Sequence, residues 1–264
     1  MKQRQYLVCA PQYFDVIYSI NPWMSSQEPV DRGLAQKQWK ALVSVFDDLG
    51  HRVHRVLPAA DLPDMVFSAN AAMVLDGKVL GASFHHPERQ PEAAHYRTWF
   101  EYAGFDVQAS AWTSEGEGDF VWVAGKLLAG TGFRTQPQAH REAAEFFGKP
   151  TVSLTLVDPR FYHLDTALFA LDDNNVAYYP GAFSASSQKA LADLFPEAII
   201  ATREDAMSFG LNSVSDGRHV VIADRATGLI HAITDRGYIP IPIDMSELRK
   251  AGGGAKCCTL EIRP

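Results

Sequence analysis

Pairs of short apolar runs, each divided by a polar or glycine-containing turn, recur along the chain. Alternating strand-type residues on both sides of Asp-Gly or Asn are typical of β-hairpins. The turns begin near positions 76, 124, 172 and 216, so successive turns are 48, 48 and 44 residues apart. Such a period indicates one structural unit used several times. The predicted hairpins cover 71–83 (AAMVLDGKVLGAS), 119–133 (DFVWVAGKLLAGTGF), 167–179 (ALFALDDNNVAYY) and 212–223 (NSVSDGRHVVIA).

Stretches with the amphipathic spacing of helices lie between the hairpins, and a short strand is predicted after each of them. Gly104, Gly148 and Gly237 mark three helix ends, because glycine readily adopts the left-handed conformation of a C-terminal cap. Pro196 ends another, because proline disfavours helical geometry in the residue before it. The predicted helices cover 31–50, 92–103, 138–147, 186–194 and 226–236.

The first of these helices has no hairpin of its own before it, so the two ends of the chain are expected to supply one. Strand-like residues occur at 6–10 (YLVCA) and again at 258–262 (CTLEI). Pairing of these segments would close five hairpin–helix–strand units into a ring. The sequence therefore predicts an α/β fold with a single domain over residues 1–264.

Composition excludes several classes of protein. The chain has 264 residues, 47% of them hydrophobic, and a formal net charge of −7, which argues against nucleic-acid binding. Three cysteines do not suggest a disulfide scaffold. The N-terminus lacks the long apolar core of a signal peptide, and no run reaches the roughly 18 apolar residues of a membrane span. We therefore expect a soluble cytoplasmic protein that binds neither membranes nor nucleic acid.

The tail AGGGAKCCTLEIRP, at 251–264, combines a glycine run with two adjacent cysteines. A phosphate loop needs GxxxxGK[ST] before a helix, and that spacing is absent. Adjacent cysteines are poor ligands for one metal ion. Two interpretations remain: Cys257 and Cys258 are simply buried, or one is a nucleophile. Glycines let the backbone approach a ligand closely, and Lys256 would lower the pKa of a nearby thiol.

Partners for a cysteine nucleophile occur at several other places. His163 and Asp165 in FYHLDT would share one face if this segment is a strand, although a buried His beside an Asp is more often structural. The remaining candidates also fit ordinary polar turns. They are Glu115, Glu117 and Asp119 in SEGEGD, Asp64 and Asn70 in PDMVFSAN, and Asn21 in SINPWM.

The position of these residues in the repeat favours a shared site. Most lie at the start of a hairpin, and equivalent positions of a five-fold ring converge on its axis. A thiol, an imidazole and several carboxylates would then line one cavity. Carboxylates suit a planar cation with many N–H donors, and a guanidinium is such a group. A thiolate would attack its carbon, and histidine would protonate the leaving amine.

These motifs resemble, over essentially the whole chain, the pentein-fold guanidine-modifying enzymes. The family contains arginine deiminase, dimethylarginine dimethylaminohydrolase, the amidinotransferases and the arginine dihydrolases. PDMVFxAN, EGxGD, FYHLDT and KAGGGAKC occur here in the family's order. The resemblance implies a pentein α/β-propeller of five ββαβ units around a pseudo-five-fold axis. It also implies a small cationic guanidino substrate, with no cofactor and no metal ion.

The resemblance also assigns roles to individual residues. Cys257 resembles the nucleophile and His163 the general acid/base, with Cys258 pointing the other way along a strand. Glu115 resembles the carboxylate that orients His163. The family commonly shows E-x-G-D, and this chain has one residue more between the Glu and the Asp, so Glu117 and Asp119 stay open as alternatives for that role. The expected substrate ligands are Asn21, Asp64, Asn70, Asp119 and Asp165, with Arg89 and Arg134 for the α-carboxylate.

Asn21 and Asn70 bear on the choice of branch. SINPWM and FSAN look most like the arginine dihydrolases, and asparagine can donate a hydrogen bond to the neutral ureido oxygen of citrulline, whereas aspartate cannot. We therefore expect an L-arginine dihydrolase that forms ornithine, ammonia and carbon dioxide through citrulline. Dimethylargininase is the first alternative, followed by arginine deiminase or amidinotransferase, and then a non-enzymatic binding module of the same fold. The sequence leaves a homo-oligomer open.

Overall fold

Residues 3–264, which the computed structural model describes, form five sheets of three strands each. Each sheet contains an antiparallel pair and a third strand that runs parallel to one member of that pair. The predicted repeat of five ββαβ units is therefore confirmed. The strands are β1 Gln5–Cys9, β2 Arg52–Val56, β3 Ala72–Leu75, β4 Lys78–Gly81, β5 Val107–Ala109, β6 Phe120–Val123, β7 Lys126–Thr131, β8 Thr151–Thr155, β9 Leu168–Ala170, β10 Val176–Tyr178, β11 Ile199–Ile200, β12 Val214–Ser215, β13 His219–Ala223, β14 Ile239–Ile243 and β15 Leu260–Glu261.

One helix crosses from the second to the third strand in each unit, and the five predicted helices lie within two residues of their predicted ends. In helix α1 the buried residues recur at helical spacing, from Ala35 through Trp39 to Phe46, so one apolar face of the helix packs on the core. Gly148 ends α3 with a φ of +63°. The helices are α1 Arg32–Asp48, α2 Glu92–Tyr102, α3 Pro137–Phe147, α4 Ala185–Leu194, α5 Arg203–Met207, α6 Thr227–Asp235 and α7 Ser246–Arg249.

The two ends of the chain meet, as predicted. Strand β15 pairs antiparallel with β1, with Tyr6 opposite Glu261 and Leu7 opposite Leu260. This pair is the hairpin that the first unit lacked. The prediction of one domain over 1–264 stays a prediction, and its first two residues lie outside the described part of the chain.

Two segments that were considered as strands have another conformation. Cys257 and Cys258 lie in a turn rather than on a strand, because the backbone N–H of Cys258 donates to Gly254 O at 3.2 Å. His163 and Asp165 do not share a strand face either, because Leu164–Thr166 forms a short 3-10 turn immediately after His163. In both places the backbone bends just before a hairpin begins.

Short 3-10 turns precede three of the hairpins and set the position of the polar residues. They cover Pro63–Val66, Ser68–Ala71, Gly116–Gly118 and Leu164–Thr166, and those from neighbouring units pack against one another. The apolar core lies between sheets and helices, whereas these turns contact one another. No helix within residues 3–264 has both the length and the apolar character needed to cross a membrane.

Gly132 and Gly148 offer a matched test of this packing. A Cβ at Gly132, where φ is +131°, would lie 2.4 Å from Leu156 O, whereas a Cβ at Gly148 would meet nothing within 4 Å. We expect Gly132→Ala to lower the free energy of unfolding by roughly 3 kcal/mol or more. Gly148→Ala should cost only about 1 kcal/mol of left-handed strain. Urea denaturation measures both, and equal losses would contradict the close contact between Gly132, which follows β7, and Leu156, which follows β8.

Candidate active site

Six polar side chains from the turns before the hairpins come together in one buried cluster. Each has at most 2% of its surface exposed. They come from different units, so the tertiary fold rather than sequence proximity assembles them. We call them the central cluster: Asp64, Asn70, Glu115, His163, Asp165 and Cys257.

The Cys257 thiol lies against a carboxylate. Its Sγ is 3.3 Å from Asp165 Oδ2, to which the protonated thiol donates. Burial raises the pKa of Cys257 well above its ordinary value, and the negative charge of Asp165 adds to that effect. The thiol is therefore protonated at neutral pH when the site holds no cation. A bound cation would favour the thiolate.

Asp165 is itself poorly matched to its surroundings. Burial raises its pKa from 3.8 to about 6, although His163, when protonated, and Lys256 oppose the change. Its Oδ1 is buried and has no hydrogen-bond partner. A ligand that donates N–H groups would satisfy this oxygen and stabilise the ionised carboxylate.

His163 is held by Glu115. Its Nε2 lies 2.6 Å from Glu115 Oε2, whereas its Nδ1 is buried without a hydrogen-bond partner. Burial by itself would raise the pKa of Glu115, but the attraction of Arg134 and His163 outweighs it and lowers that pKa well below its ordinary value. An ionised Glu115 keeps a proton on Nε2, which leaves Nδ1 to exchange a proton with a ligand.

The other two acidic residues of SEGEGD have different partners. Glu117 accepts from Lys256 Nζ at 2.9 Å and also pairs with Arg263, so it ties the tail to the ring. Asp119 accepts the backbone N–H of Leu164 at 3.0 Å and that of Thr135 at 3.3 Å. Of the three candidates, Glu115 is the one that contacts His163. The contacts of Asp119 with the backbone do not favour the prediction that it binds substrate.

Arg89 fixes the orientation of Asn70. Its Nη1 donates to Asn70 Oδ1 at 2.8 Å, while its Nε and Nη2 donate to Glu92 at 2.9 Å each. Asn70 Nδ2 is buried without a partner. A Cβ at Gly118 would lie 2.3 Å from that nitrogen, so glycine leaves the amide its room. Asn70 therefore presents a hydrogen-bond donor, not an acceptor, to the interior.

The second arginine supports the histidine side of the cluster. Arg134 donates from Nη1 to Glu115 Oε2 at 3.1 Å and from Nη2 to Ile20 O at 2.8 Å. Its guanidinium carbon lies 4.7 Å from the centre of the Tyr162 ring. Arg89 and Arg134 are only 4% and 5% exposed. Their charges pair with protein groups here, so the expected contact of both with a substrate carboxylate stays a prediction.

The segment 18–24 covers the cluster. Tyr18 donates its hydroxyl to Asp64 Oδ2 at 2.9 Å, and Trp23 Nε1 donates to Arg160 O at 2.8 Å. Asn21 donates to Ala251 O at 3.0 Å and accepts from Trp23 N at 2.9 Å. Asn21 thus fastens this segment to the glycine run. The structure does not place its amide in the central cluster, where the sequence predicted a substrate ligand.

Buried polar atoms without a hydrogen-bond partner are concentrated in the central cluster. Among residues 3–264, seven buried side-chain nitrogen or oxygen atoms lack a partner, and four of these atoms belong to the central cluster. Unpaired buried polar atoms each cost about 1–3 kcal/mol, so such a concentration indicates a ligand site. The four atoms are Asp64 Oδ1, Asn70 Nδ2, His163 Nδ1 and Asp165 Oδ1.

Sequence reasoning missed two residues that support the cluster. Glu92 holds Arg89, and burial raises the pKa of Glu92 to about 7 although Arg89 opposes the change. Asn212 Nδ2 lies 3.1 Å from Cys257 Sγ. Asn212 begins the NSVSDG hairpin, as the other candidates begin theirs, so its position in the repeat was a usable signal. Nothing in the sequence near Glu92 marks it.

Known proteins resemble the chain over its full length. No known family model matches the sequence. It is 46% identical over 263 residues to the N(G),N(G)-dimethylarginine dimethylaminohydrolase of Mycobacterium tuberculosis, covering 100% of this chain and 87% of that protein. It is also 37% identical over 268 residues to the bifunctional arginine dihydrolase/ornithine cyclodeaminase ArgZ of Synechocystis. That match covers 97% of this chain and 37% of ArgZ. A crystal structure of the substrate-bound N-terminal domain of ArgZ matches it with a TM-score of 0.95 at 35% identity, covering 99% of this chain and 98% of that one.

The raised pKa of Asp165 predicts how stability depends on pH. Because the folded-state pKa of about 6 exceeds the ordinary 3.8, the fold favours the protonated carboxyl. This contribution is complete below about pH 3.8 and is lost as pH rises through 6. The Asn side chain of Asp165→Asn does not ionise, so this variant does not lose stability in that way. We expect the free energy of unfolding of Asp165→Asn, relative to that of the unmutated protein, to increase by about 2 kcal/mol between about pH 4.5 and 7.5.

Thermal or urea denaturation of the substrate-free protein at both pH values tests this expectation. Asp173→Asn is the matched control, because Asp173 is exposed at the 172–175 turn. A difference between Asp165→Asn and the unmutated protein that does not change with pH would contradict the assignment.

Proposed function

Because the chain belongs to the pentein-fold family of guanidine-modifying hydrolases, we propose that it is an L-arginine dihydrolase. Hydrolysis of guanidino C–N bonds is the activity that its relatives share, so the non-enzymatic alternative is set aside. The proposal concerns the substrate and the number of hydrolyses. One observation carries it: Asn70 presents a free donor in the same buried cluster as two carboxylates with unpartnered oxygens.

Asn70 suits both substrates of a dihydrolase. Its Oδ1 is taken by Arg89, so only its N–H groups are free. An amide N–H can bind the ureido oxygen of citrulline, which a carboxylate would repel. Citrulline formed in the first hydrolysis therefore stays bound and becomes the substrate of the second.

The carboxylates favour an unsubstituted guanidinium. Asp64 and Asp165 each have one unpartnered buried oxygen, and the guanidinium of arginine supplies five N–H donors. Two methyl groups on one nitrogen would replace two of those donors and leave buried acceptors unpaired. Sites built around hydrogen bonds reject such analogues strongly.

The first half of the reaction forms a covalent adduct. The bound cation lowers the pKa of Cys257, and the thiol proton passes to His163 Nδ1. The sulfur attacks the guanidinium carbon, forming a C–S bond, while a C=N electron pair moves to nitrogen. His163 returns the proton to a terminal nitrogen, the C–N bond breaks, and ammonia leaves a thiouronium on Cys257.

Water completes the cycle. His163 Nδ1 accepts a proton from water as the oxygen attacks the same carbon, the C–S bond breaks, and citrulline forms. His163 returns that proton to the Cys257 sulfur, and the second proton of the water converts the released ammonia to ammonium. In a second cycle Cys257 attacks the ureido carbon while Asn70 donates to the developing oxyanion. A second ammonia leaves, and water releases a carbamate that decomposes to ornithine and carbon dioxide.

Dimethylargininase is the second candidate, and one observation favours it. The relative that is 46% identical over 87% of its own length carries that name. The same Cys257, His163 and Glu115 would perform the reaction, with dimethylamine as the leaving group. A higher kcat/KM for dimethylarginine than for arginine would select this alternative. Arginine deiminase would stop at citrulline, and an amidinotransferase would need an amine that outcompetes water.

The reaction products test the proposal directly. With L-arginine we expect two ammonia molecules per ornithine formed, with citrulline as an intermediate. Asn70→Asp should accumulate citrulline, because losing the donor to a buried oxyanion costs about 2–3 kcal/mol, or roughly 100-fold in citrulline hydrolysis. Chromatography of amino acids over time measures both steps.

Asn174→Asp, on an exposed turn, is the matched control and should leave the ratio of ornithine to citrulline unchanged. If unmutated protein accumulates citrulline without ornithine, the dihydrolase proposal fails. An unaltered product ratio in Asn70→Asp would remove Asn70 from the second step.

The two adjacent cysteines give a second test. Both are buried in the apolar core around helix α1, but the Cys257 sulfur also contacts Asp165 and Asn212. Cys257→Ala should lower kcat at least about 10³-fold without unfolding the protein. Cys258→Ala should change kcat less than about threefold and lower stability by about 1 kcal/mol. Steady-state kinetics measures kcat of both variants, and denaturation measures their stability. Comparable losses of kcat in the two variants would refute the assignment of Cys257 as the nucleophile.

A further inference from the structure

Asn212 connects three parts of the site through one buried carboxamide. Its residue surface is only 1% exposed, and it lies two positions before β12. Its Oδ1 accepts the backbone N–H groups of Gly254 at 3.0 Å and Cys257 at 3.1 Å. Its Nδ2 donates to Asp165 O at 3.1 Å and to Cys257 Sγ at 3.1 Å.

These partners fix which end of the amide faces the sulfur. Two backbone N–H groups point at one end, and only an oxygen can accept from them. The other end meets the carbonyl oxygen of Asp165, which requires a donor. The –NH₂ group of Asn212 therefore lies against the sulfur, whichever way the amide is drawn.

Close packing keeps the amide in this position. A Cβ at Gly254 would lie 2.9 Å from Asn212 Oδ1, so the glycine lets the loop approach the carboxamide. The backbone N–H of Lys256 also donates to Asn212 O at 3.1 Å. The side chain thus has little freedom to leave the sulfur when the charge on the sulfur changes.

We propose that Asn212 is a catalytic residue that stabilises the Cys257 thiolate with an N–H donor. The inference rests on the proposed nucleophilic role of Cys257. The thiolate forms before attack and again each time the C–S bond breaks. Asp165 lies beside the sulfur and disfavours its negative charge, so a donor is needed there. A neutral amide supplies one without the positive charge that would repel a guanidinium.

The chemistry also explains why this donor differs from the usual imidazolium or lysine beside a reactive thiol. The nearest ammonium, on Lys256, is paired with Glu117 at 2.9 Å and with Thr259 O at 2.9 Å. His163 Nε2 is hydrogen-bonded to Glu115 Oε2 at 2.6 Å. Among the described residues, Asn212 is the side chain that donates a hydrogen bond to the Cys257 sulfur.

The test measures the thiolate rather than turnover. Asn212→Asp keeps the shape and the acceptor for the loop, but replaces the donor at the sulfur with an oxygen. A haloacetamidine, which joins an amidinium to an alkylating carbon, labels Cys257, and mass spectrometry follows the rate against pH. We expect the midpoint of labelling to rise by about one pH unit or more, and kcat to fall at least about tenfold with little change in KM.

The control is Asn174→Asp, the same substitution on an exposed turn, which should label and turn over like the unmutated protein. A lower melting temperature with an unchanged labelling midpoint would show a purely structural role and overturn the proposal. If unmutated protein hydrolyses no arginine, yet the midpoint still depends on Asn212, the substrate proposal fails and the role of Asn212 stands.

A measurement on the unmutated fold covers the case in which Asn212→Asp does not fold. The side-chain amide protons of Asn212, observed by NMR in protein labelled with ¹⁵N-asparagine, should shift with the same midpoint as Cys257 labelling. That shift should be absent in Cys257→Ala. Amide signals that do not respond to pH while Cys257 ionises would overturn the proposal.

Discussion

The structure depends on burying several ionisable groups in one place without satisfying all of them. Burial raises the pKa values of Asp64 and Asp165. Burial and the charge of Asp165 raise the pKa of the Cys257 thiol. Four atoms of the central cluster have no hydrogen-bond partner in the described protein. Such a cluster is unfavourable for the folded chain on its own, and a guanidinium that enters it removes much of that cost.

Charges outside the cluster make this arrangement tolerable. Arg89 holds Asn70 and pairs with Glu92, while Arg134 holds Glu115. On the opposite side, Lys256 and Arg263 pair with Glu117 and so fasten the tail to the ring. Glu92, Glu115 and Glu117 therefore each have a cationic partner. The unpaired atoms are left where a substrate would lie.

The glycine run in the tail has a different purpose from the one the sequence suggested. The sequence indicated glycines that bring the backbone close to a ligand. In the structure they bring it close to protein side chains. A Cβ at Gly253 would lie 2.2 Å from the Phe67 ring, and one at Gly252 would lie 2.9 Å from Asn21 Oδ1. The run lets the loop that carries Cys257 pass between neighbouring units, with Asn212 against its backbone.

The sequence by itself determined the repeat, because hairpin and helix patterns are local and each unit repeats them. It also indicated Cys257, His163 and Glu115 as residues that converge, because equivalent positions of a ring meet at its axis. Only the tertiary structure decided which acid contacts His163, that Asn21 fastens the covering segment, and that Glu92 and Asn212 support the cluster. Those outcomes depend on distances of about 3 Å between residues far apart in the chain, and local patterns carry no information about such distances.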